Sequence, residues 1–109
     1  IERNRPGEKF PVVFGNLADK DTETCLRHLS RIASKMAFAP FIGPKPSRPA
    51  EELVMMMGKI DGSIPCEAFH SPMEAVRSLK GSPMIVTGSL YMIGEVLREL
   101  VPEDEILDL

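Results

Sequence analysis

Four short apolar runs along the chain predict buried strands. They are Phe10–Gly15, Met36–Pro40, Ile64–Phe69 and Pro83–Gly88. The third run is the weakest of the four, and the last one, PMIVTG, is the clearest. Continuous apolar runs of this length, bounded by glycine, proline or polar residues, are typical of strands that are covered on both faces of a parallel sheet.

A first helix is predicted between the first two strands. Asp21 or Thr22 can cap it, and the apolar positions that follow repeat with helical spacing. These positions define the expected buried face and are Cys25, Leu26, Leu29, Ile32, Ala33 and Met36. The charged residues between them fall mainly on the opposite side, so the pattern predicts an amphipathic helix that packs on the sheet.

Three further helices are predicted later in the chain. One covers Ser47–Gly58, where Pro49 is tolerable in the first turn and the expected buried residues are Leu53, Val54 and Met57. The segment Ser71–Glu74 (SPME) has the form of a capping box with proline at the first helical position. A last helix is expected to start at Ser89, and its expected packing residues are Leu90, Ile93, Leu97 and Leu100.

The alternation of strands and helices predicts the fold class. Four strands, each followed by a helix, indicate an α/β domain with a mostly parallel sheet, right-handed crossovers and helices on both faces. The length of 109 residues and the ordinary composition, with 43% hydrophobic and 27% charged residues, suit one domain. The chain starts at Ile1 rather than at methionine, and we therefore expect it to be a piece of a longer protein.

The charge and cysteine content narrow the function classes. With 13 lysine and arginine residues against 16 acidic ones, and with no basic block, we expect no nucleic-acid partner. No apolar stretch is long enough for a membrane span, so we expect no membrane partner and a cytoplasmic protein. Cys25 and Cys66 lie in apolar runs without metal-ligand spacing and are expected to be buried, reduced thiols.

The loop after the first strand, Gly15–Asp21, is one candidate site. It places Lys20 between Asp19 and Asp21 at the carboxyl end of a strand, which is where open parallel sheets bind ligands. The lysine there can neutralise a carboxylate or a phosphate. A solvated turn in which Asp21 merely caps the helix is the alternative, and the spacing leaves both open.

The turn after the last strand, TGSL at residues 87–90, is the second candidate. A helix that begins at Ser89 presents backbone N–H groups and a partial positive charge, Gly88 allows close approach, and the hydroxyl adds a donor. An anionic group would fit such a site. Ser89 as a helix cap with no ligand is the alternative.

Other polar positions give weaker signals. His70 follows the third strand and is expected to be a surface or capping residue rather than a base, since no partner group surrounds it in the sequence. The segment at residues 43–48 either presents Lys45 and Arg48 to an anion or is a stiff connector. No phosphate-loop, dinucleotide-binding, zinc-protease or esterase motif occurs.

The two candidate loops resemble signature segments of a known family. The segments VFGNLADKD (residues 13–21) and IVTGSLYMIGEVL (residues 85–97) are similar to those of the C-terminal domain of folylpolyglutamate synthase/dihydrofolate synthase, in the Mur-type amino-acid ligases. The two βα units between them also match, so the resemblance covers nearly the whole chain. It implies a Rossmann-like, three-layer C-terminal domain over residues 1–109.

The resemblance also implies a reaction. In this family ATP phosphorylates a carboxylate of a pteroate or folate, and the amine of glutamate attacks the acyl phosphate to form an amide. An N-terminal ATPase domain supplies the phosphate loop and the Mg²⁺ ligands, so ATP and Mg²⁺ are expected to bind mainly outside this chain. Carried onto this sequence, Lys20 and Ser89 would hold the incoming glutamate, with Asp19 and Gly88 as supporting loop residues.

The sequence departs from the family at one point. Family C-terminal domains begin with a further βα unit that carries an Asp-Gly-Ala-His-Asn-Pro type motif, and nothing like it occurs here. The resemblance therefore implies that one βα unit is lacking, that the chain alone is inactive, and that an exposed apolar edge could support a dimer.

A small flavodoxin-like binding or receiver module is the alternative class. It would require several clustered acids after the first strands and a lysine after the last strand. The last strand instead ends in Thr-Gly-Ser, which counts against this alternative.

Overall fold

The computed structural model describes residues 9–18, 21–79, 81, 83–89, 92–94, 96 and 97. The elements in chain order are β1 (Phe10–Gly15), α1 (Thr22–Leu29), β2 (Ala33–Phe38), α2 (Ala50–Ile60), β3 (Cys66–Ala68), α3 (Pro72–Ser78) and β4 (Ile85–Gly88). Residues 92–94, 96 and 97 are also helical. The predicted α/β class, with four strands and helices between them, is confirmed.

The four strands form one parallel sheet in the order β3-β2-β1-β4. β1 lies between β2 and β4, and its register pairs Phe14 with Phe38 on one side and with Thr87 on the other. The chain thus builds the sheet outward from β1 to β3 and then returns to the other side of β1. This order creates a switch point between β1 and β4, where ligands bind in open α/β sheets.

Helices cover both faces of the sheet, and alternate residues of β1 show why. Val12 and Phe14 belong to one apolar cluster, which includes Leu26 of α1 and Leu53 of α2. Val13 belongs to the other, with residues of α3 and of the last helical segment. Successive strand residues point to opposite faces, so the uninterrupted apolar run of β1 builds two cores at once.

The first helix ends earlier than its apolar spacing predicts. α1 stops at Leu29, and Ala33 and Met36, which were expected on its buried face, are buried in β2 instead. Ser30 closes the helix, since its N–H donates to Leu26 and its hydroxyl to Arg27 O. A short apolar run satisfies helical and strand spacing equally well, which explains the error.

The last helical segment buries a different face from the predicted one. Met92 and Val96 are buried in the cluster around Val13, whereas Ile93 and Leu97 are only half-buried. The expected contacts of Leu90 and Leu100 lie outside the described residues. The predicted face was therefore wrong by one position, because a helix with apolar residues on several sides does not specify its rotation.

The Ser71 half of the predicted capping box of α3 is confirmed, and the Glu74 half is displaced by one residue, to the N–H of His70. The Ser71 hydroxyl accepts a hydrogen bond from the N–H of Glu74, at 3.2 Å, and Pro72 is the first helical residue. The Glu74 carboxylate reaches back and accepts from the N–H of His70, at 2.9 Å. These bonds satisfy donors that the helix itself leaves unpaired.

The two cysteines are free, but only one is even partly buried. Cys25 is exposed on α1, contrary to the expectation, and Cys66 is intermediate. Cys25 precedes Leu26 by one position, and Leu26 occupies the core instead. Burial raises the pKa of the Cys66 thiol, and the nearby Asp61 carboxylate adds to this effect.

The described sheet has β4 at one edge. Ile85, Val86 and Thr87 are half-buried there, whereas Val12 and Val13 of the central β1 are fully buried. Dimerisation through an edge of the sheet stays a prediction. Among the helices of the described residues, none combines the length and the apolar character that crossing a bilayer demands.

Candidate functional site

The candidate site begins where β1 and β4 end side by side. Gly15 and Gly88 are partners in the parallel register, and the N–H of Ser89 donates to Gly15 O at 3.1 Å. The two strands therefore deliver the loop after β1 and the start of the last helical segment to one edge of the sheet. This juxtaposition is what the sequence predicts for the two candidate loops.

Both glycines are required by close approach of the backbone. Gly88 has a φ of +119°, and a Cβ built on it would lie 1.9 Å from Gly15 O. A Cβ on Gly15 would lie 2.6 Å from Ala39 O and 2.7 Å from the sulfur of Met92. No larger residue fits at either position without moving the backbone, so the close approach of the ends of β1 and β4 depends on both glycines.

Ser89 lies at the predicted edge, with one change to the predicted chemistry. Its carbonyl accepts from the N–H of Ile93, at 3.1 Å, as expected for the start of a helix. Its own N–H is engaged with Gly15 O and is therefore not a donor for a ligand. The anion-binding role of Ser89 stays a prediction that rests on its hydroxyl and not on its own backbone N–H.

The loop after β1 is described on both sides of Asp19 and Lys20, which themselves lie outside the described residues. Before them, the N–H of Ala18 donates to Pro46 O at 3.0 Å. After them, Asp21 caps α1: its carboxylate accepts from the N–H of Thr24 at 3.2 Å and from the Thr24 hydroxyl at 2.7 Å. These bonds, the hydroxyl first, lower the pKa of Asp21. The capping role expected for Asp21 is confirmed.

A buried polar group supports the start of this loop. Asn16 is 7% exposed, and its side-chain oxygen accepts from the N–H of Leu17 at 3.0 Å. Its amide nitrogen lies 3.5 Å from the hydroxyl of Thr22, which is itself buried. Buried polar side chains that are satisfied in this way rigidify the backbone around them. Asn16 is not among the predicted site residues, although an asparagine directly after a strand glycine is a sequence signal for such a turn.

Arg48, for which the sequence left the choice between an anion ligand and a connector residue open, forms contacts within the chain. Its guanidinium donates to the carbonyl of Ala18 and to the hydroxyl of Thr22, and it pairs with Glu52 of α2. Leu17 also forms an isolated antiparallel bridge with Ser47. The segment at residues 43–48, which the sequence predicts to be either an anion site or a stiff connector, therefore bonds to the loop after β1 through Ser47 and Arg48.

His70 takes the surface position that was expected for it. Its side chain is 97% exposed, with Nδ1 3.5 Å from the Glu74 carboxylate. It borders a shallow groove with Phe41 and Ile42 at the carboxyl ends of β2 and β3. Within the described part of the chain, no group of three or more histidine, cysteine or acidic residues is placed to hold a metal ion.

The fold and this edge define a doubly wound α/β domain whose switch point lies between β1 and β4. Comparison with solved structures gives a folylpolyglutamate synthase from Thermotoga maritima at a TM-score of 0.72 and 31% identity, covering 92% of this chain and 23% of that one. The chain therefore has the fold of the C-terminal domain of folylpolyglutamate synthases, and the resemblance seen in its sequence is confirmed.

Two further synthases share this fold. One from Mycobacterium tuberculosis, complexed with ADP and AMPPCP, has a TM-score of 0.69 and 20% identity, covering 84% of this chain and 24% of that one. A bifunctional folylpolyglutamate synthase/dihydrofolate synthase from Yersinia pestis has a TM-score of 0.68 and 22% identity, covering 85% and 23%. The chain thus spans about a quarter of the length of these synthases. No protein-family model and no curated protein matches it.

Proposed function

We propose that this chain is the glutamate-binding domain of an ATP-dependent ligase, which joins L-glutamate to a folate or dihydropteroate carboxylate. The likeness to the Thermotoga maritima synthase, at 31% identity over most of this chain, supports the proposal. The coverage of about a quarter of that synthase supports a larger protein, whose N-terminal ATPase domain binds most of the nucleotide and the Mg²⁺. On this proposal the chain alone is inactive.

The observation that carries the proposal is the pairing of Gly15 with Gly88. It brings the loop that contains Lys20 and the loop that contains Ser89 to one edge of the sheet. Glutamate has two carboxylates, which a lysine and a helix start with a hydroxyl can bind. Lys20 and Ser89 are the proposed ligands of glutamate, with Asp19 and Gly88 in support.

The proposed contribution of this domain to catalysis is positioning. When bound, ATP would supply the phosphoryl group that converts the folate carboxylate into an acyl phosphate, with ADP as the leaving group, and Mg²⁺ would neutralise the charge of the phosphates. Residues of this chain hold the glutamate so that its amine faces the activated carbonyl carbon; an amide bond then forms and inorganic phosphate leaves. Holding two reactants in a productive orientation lowers the activation barrier, by about 7–11 kcal/mol for the best-oriented pairs.

Steady-state kinetics of the full-length ligase test the two proposed ligands. Ser89→Ala is expected to raise the apparent KM for glutamate by about tenfold or more, since a hydrogen bond to a charged group contributes roughly 1.5–3 kcal/mol. The KM for ATP is expected to stay within about twofold. Ser30→Ala is the matched control, because the Ser30 hydroxyl bonds to Arg27 O at the far end of α1.

Lys20→Met is expected to depress ligation without unfolding the domain. Lys59→Met, in the last turn of α2, is its control.

Equal increases in the KM for glutamate and in the KM for ATP in Ser89→Ala would show that Ser89 does not belong to the glutamate site. Unchanged turnover in Lys20→Met would leave its loop as a solvated turn. Ligation by the isolated chain would contradict the proposed division of labour.

A further inference from the structure

Arg48 links three elements beneath the candidate site. Its Nε donates to the Thr22 hydroxyl at 2.9 Å, its Nη2 donates to Ala18 O at 2.7 Å, and its Nη1 pairs with the Glu52 carboxylate. Its backbone N–H also donates to Asn16 O at 2.8 Å. One residue from the segment before α2 therefore holds the loop after β1, the start of α1 and α2 together.

The chemistry of arginine suits this position. The guanidinium offers five N–H donors in a rigid planar fork, so it serves acceptors in three directions without a change of rotamer. Only 18% of the Arg48 side chain is exposed, whereas the Arg27 side chain of the Glu23–Arg27 pair on α1 is 61% exposed. The bond from Arg48 to the Thr22 hydroxyl is partly buried and is therefore better shielded from water than the Glu23–Arg27 ion pair, whereas the bonds to Ala18 O and to Glu52 are exposed.

The contacts of Arg48 bracket the two central residues of the loop. Ala18 directly precedes Asp19 in the chain, and Thr22 lies two positions after Lys20. Asp21, the residue between Lys20 and Thr22, is held as the cap of α1. The described residues Ala18 and Thr22, four positions apart in the chain, are therefore held by the same side chain.

We infer that Arg48 is a positioning residue for glutamate binding: it ties together Ala18 and Thr22, the described residues on either side of the segment that carries Lys20. The inference rests on the proposed function and adds to it a residue that does not touch the substrate. Its effect is transmitted through Ala18 O and the Thr22 hydroxyl. Loss of Arg48 therefore weakens the binding of glutamate more than it weakens the binding of the nucleotide.

Arg48→Lys in the full-length ligase tests the inference. Lysine keeps the charge but cannot serve Ala18, Thr22 and Glu52 at once, so the KM for glutamate is expected to rise by about tenfold. The KM for ATP is expected to stay within about twofold, while the loss of hydrogen bonds to the guanidinium lowers the urea midpoint without preventing folding. Arg27→Lys is the matched control, since it alters an arginine–glutamate pair at the same helical spacing that does not touch the loop.

A second pair of variants keeps the test independent of how well Arg48→Lys folds. Thr22→Val removes the hydroxyl that accepts from Arg48, and Thr22→Ser retains it. The valine variant is expected to reproduce the rise in KM for glutamate, and the serine variant is expected to restore it to within about twofold of the parent value.

The outcomes separate this inference from the proposed function. If the unmodified protein ligates glutamate but folded Arg48→Lys or Thr22→Val leaves its KM unchanged, only the inference on Arg48 is overturned. Equal rises for glutamate and ATP, or loss of folding in both variants, would assign Arg48 to the fold alone. An unmodified full-length protein that does not ligate glutamate overturns the proposed function, and the inference with it.

Discussion

Replacing Gly88 by alanine is expected to destabilise the domain strongly. The left-handed φ of +119° opposes any side chain, and the added Cβ would meet Gly15 O at 1.9 Å, so the backbone must move. Strain of this kind costs about 1–3 kcal/mol, and loss of the bond from Ser89 N–H to Gly15 O costs about 0.5–1.5 kcal/mol more. We therefore expect a loss of roughly 3 kcal/mol, a large part of the stability of a small domain.

Urea unfolding of the purified chain, followed by circular dichroism, measures this loss. The midpoint is expected to fall by roughly 1–3 M. Two other glycines serve as controls, because they separate the cost of the backbone angle from the cost of the close contact. Gly81 has a φ of +95° with open space around its Cβ position, and Gly58 lies in α2 with nothing near it. Gly81→Ala is expected to cost about 1–2 kcal/mol, and Gly58→Ala to stabilise by about 0.5–1 kcal/mol.

The comparison of the three variants decides whether the reasoning holds. If Gly88→Ala costs no more than Gly81→Ala, the close approach to Gly15 contributes nothing and only the backbone angle matters. If Gly88→Ala unfolds at the same urea concentration as the parent chain, the described geometry between β1 and β4 is refuted.

Two further predictions concern titratable groups. The pKa of Asp21 is lowered below its usual value near 4, so its stabilising effect on α1 is complete above about pH 4 and is lost as the pH falls through the folded-state pKa. Asp21→Asn is expected to flatten the stability profile in that acid range in thermal unfolding scans, and an unchanged profile would contradict the assignment. Exposed Cys25 is expected to react with a maleimide faster than Cys66, whose pKa is raised by burial; mass spectrometry of the labelled peptides would expose the reverse order.

The sequence predicts the elements better than it predicts their boundaries and rotations. The run at β1 is short, ends at Gly15 and is rich in valine and phenylalanine, which favours a strand over a buried helix segment. At α1 and β2, two periods compete over the same residues, and the hydrogen bonds of Ser30 decide where the helix ends. The last helix has apolar residues on several sides, so only packing selects Met92 for the core.

The candidate site divides in the same way. The sheet edge that brings Gly15 to Gly88 follows from the alternation of strands and helices, so it could be predicted. The role of Arg48 could not, since Thr22 lies 26 positions away and no local spacing reports that contact. Only the pair with Glu52, four positions on, is visible in the sequence.

The position of β4 beside β1 also sets when the site can form. β1 is the first strand in the chain and β4 is the last, so their pairing closes a longer loop than any other strand contact in the described sheet. Contacts between distant segments are entropically costly and form late in folding. As the chain emerges from a ribosome, β1, β2 and β3 are available to pair well before Gly88 is made. The pairing of Gly15 with Gly88, on which the candidate site depends, therefore forms only when the sheet is complete.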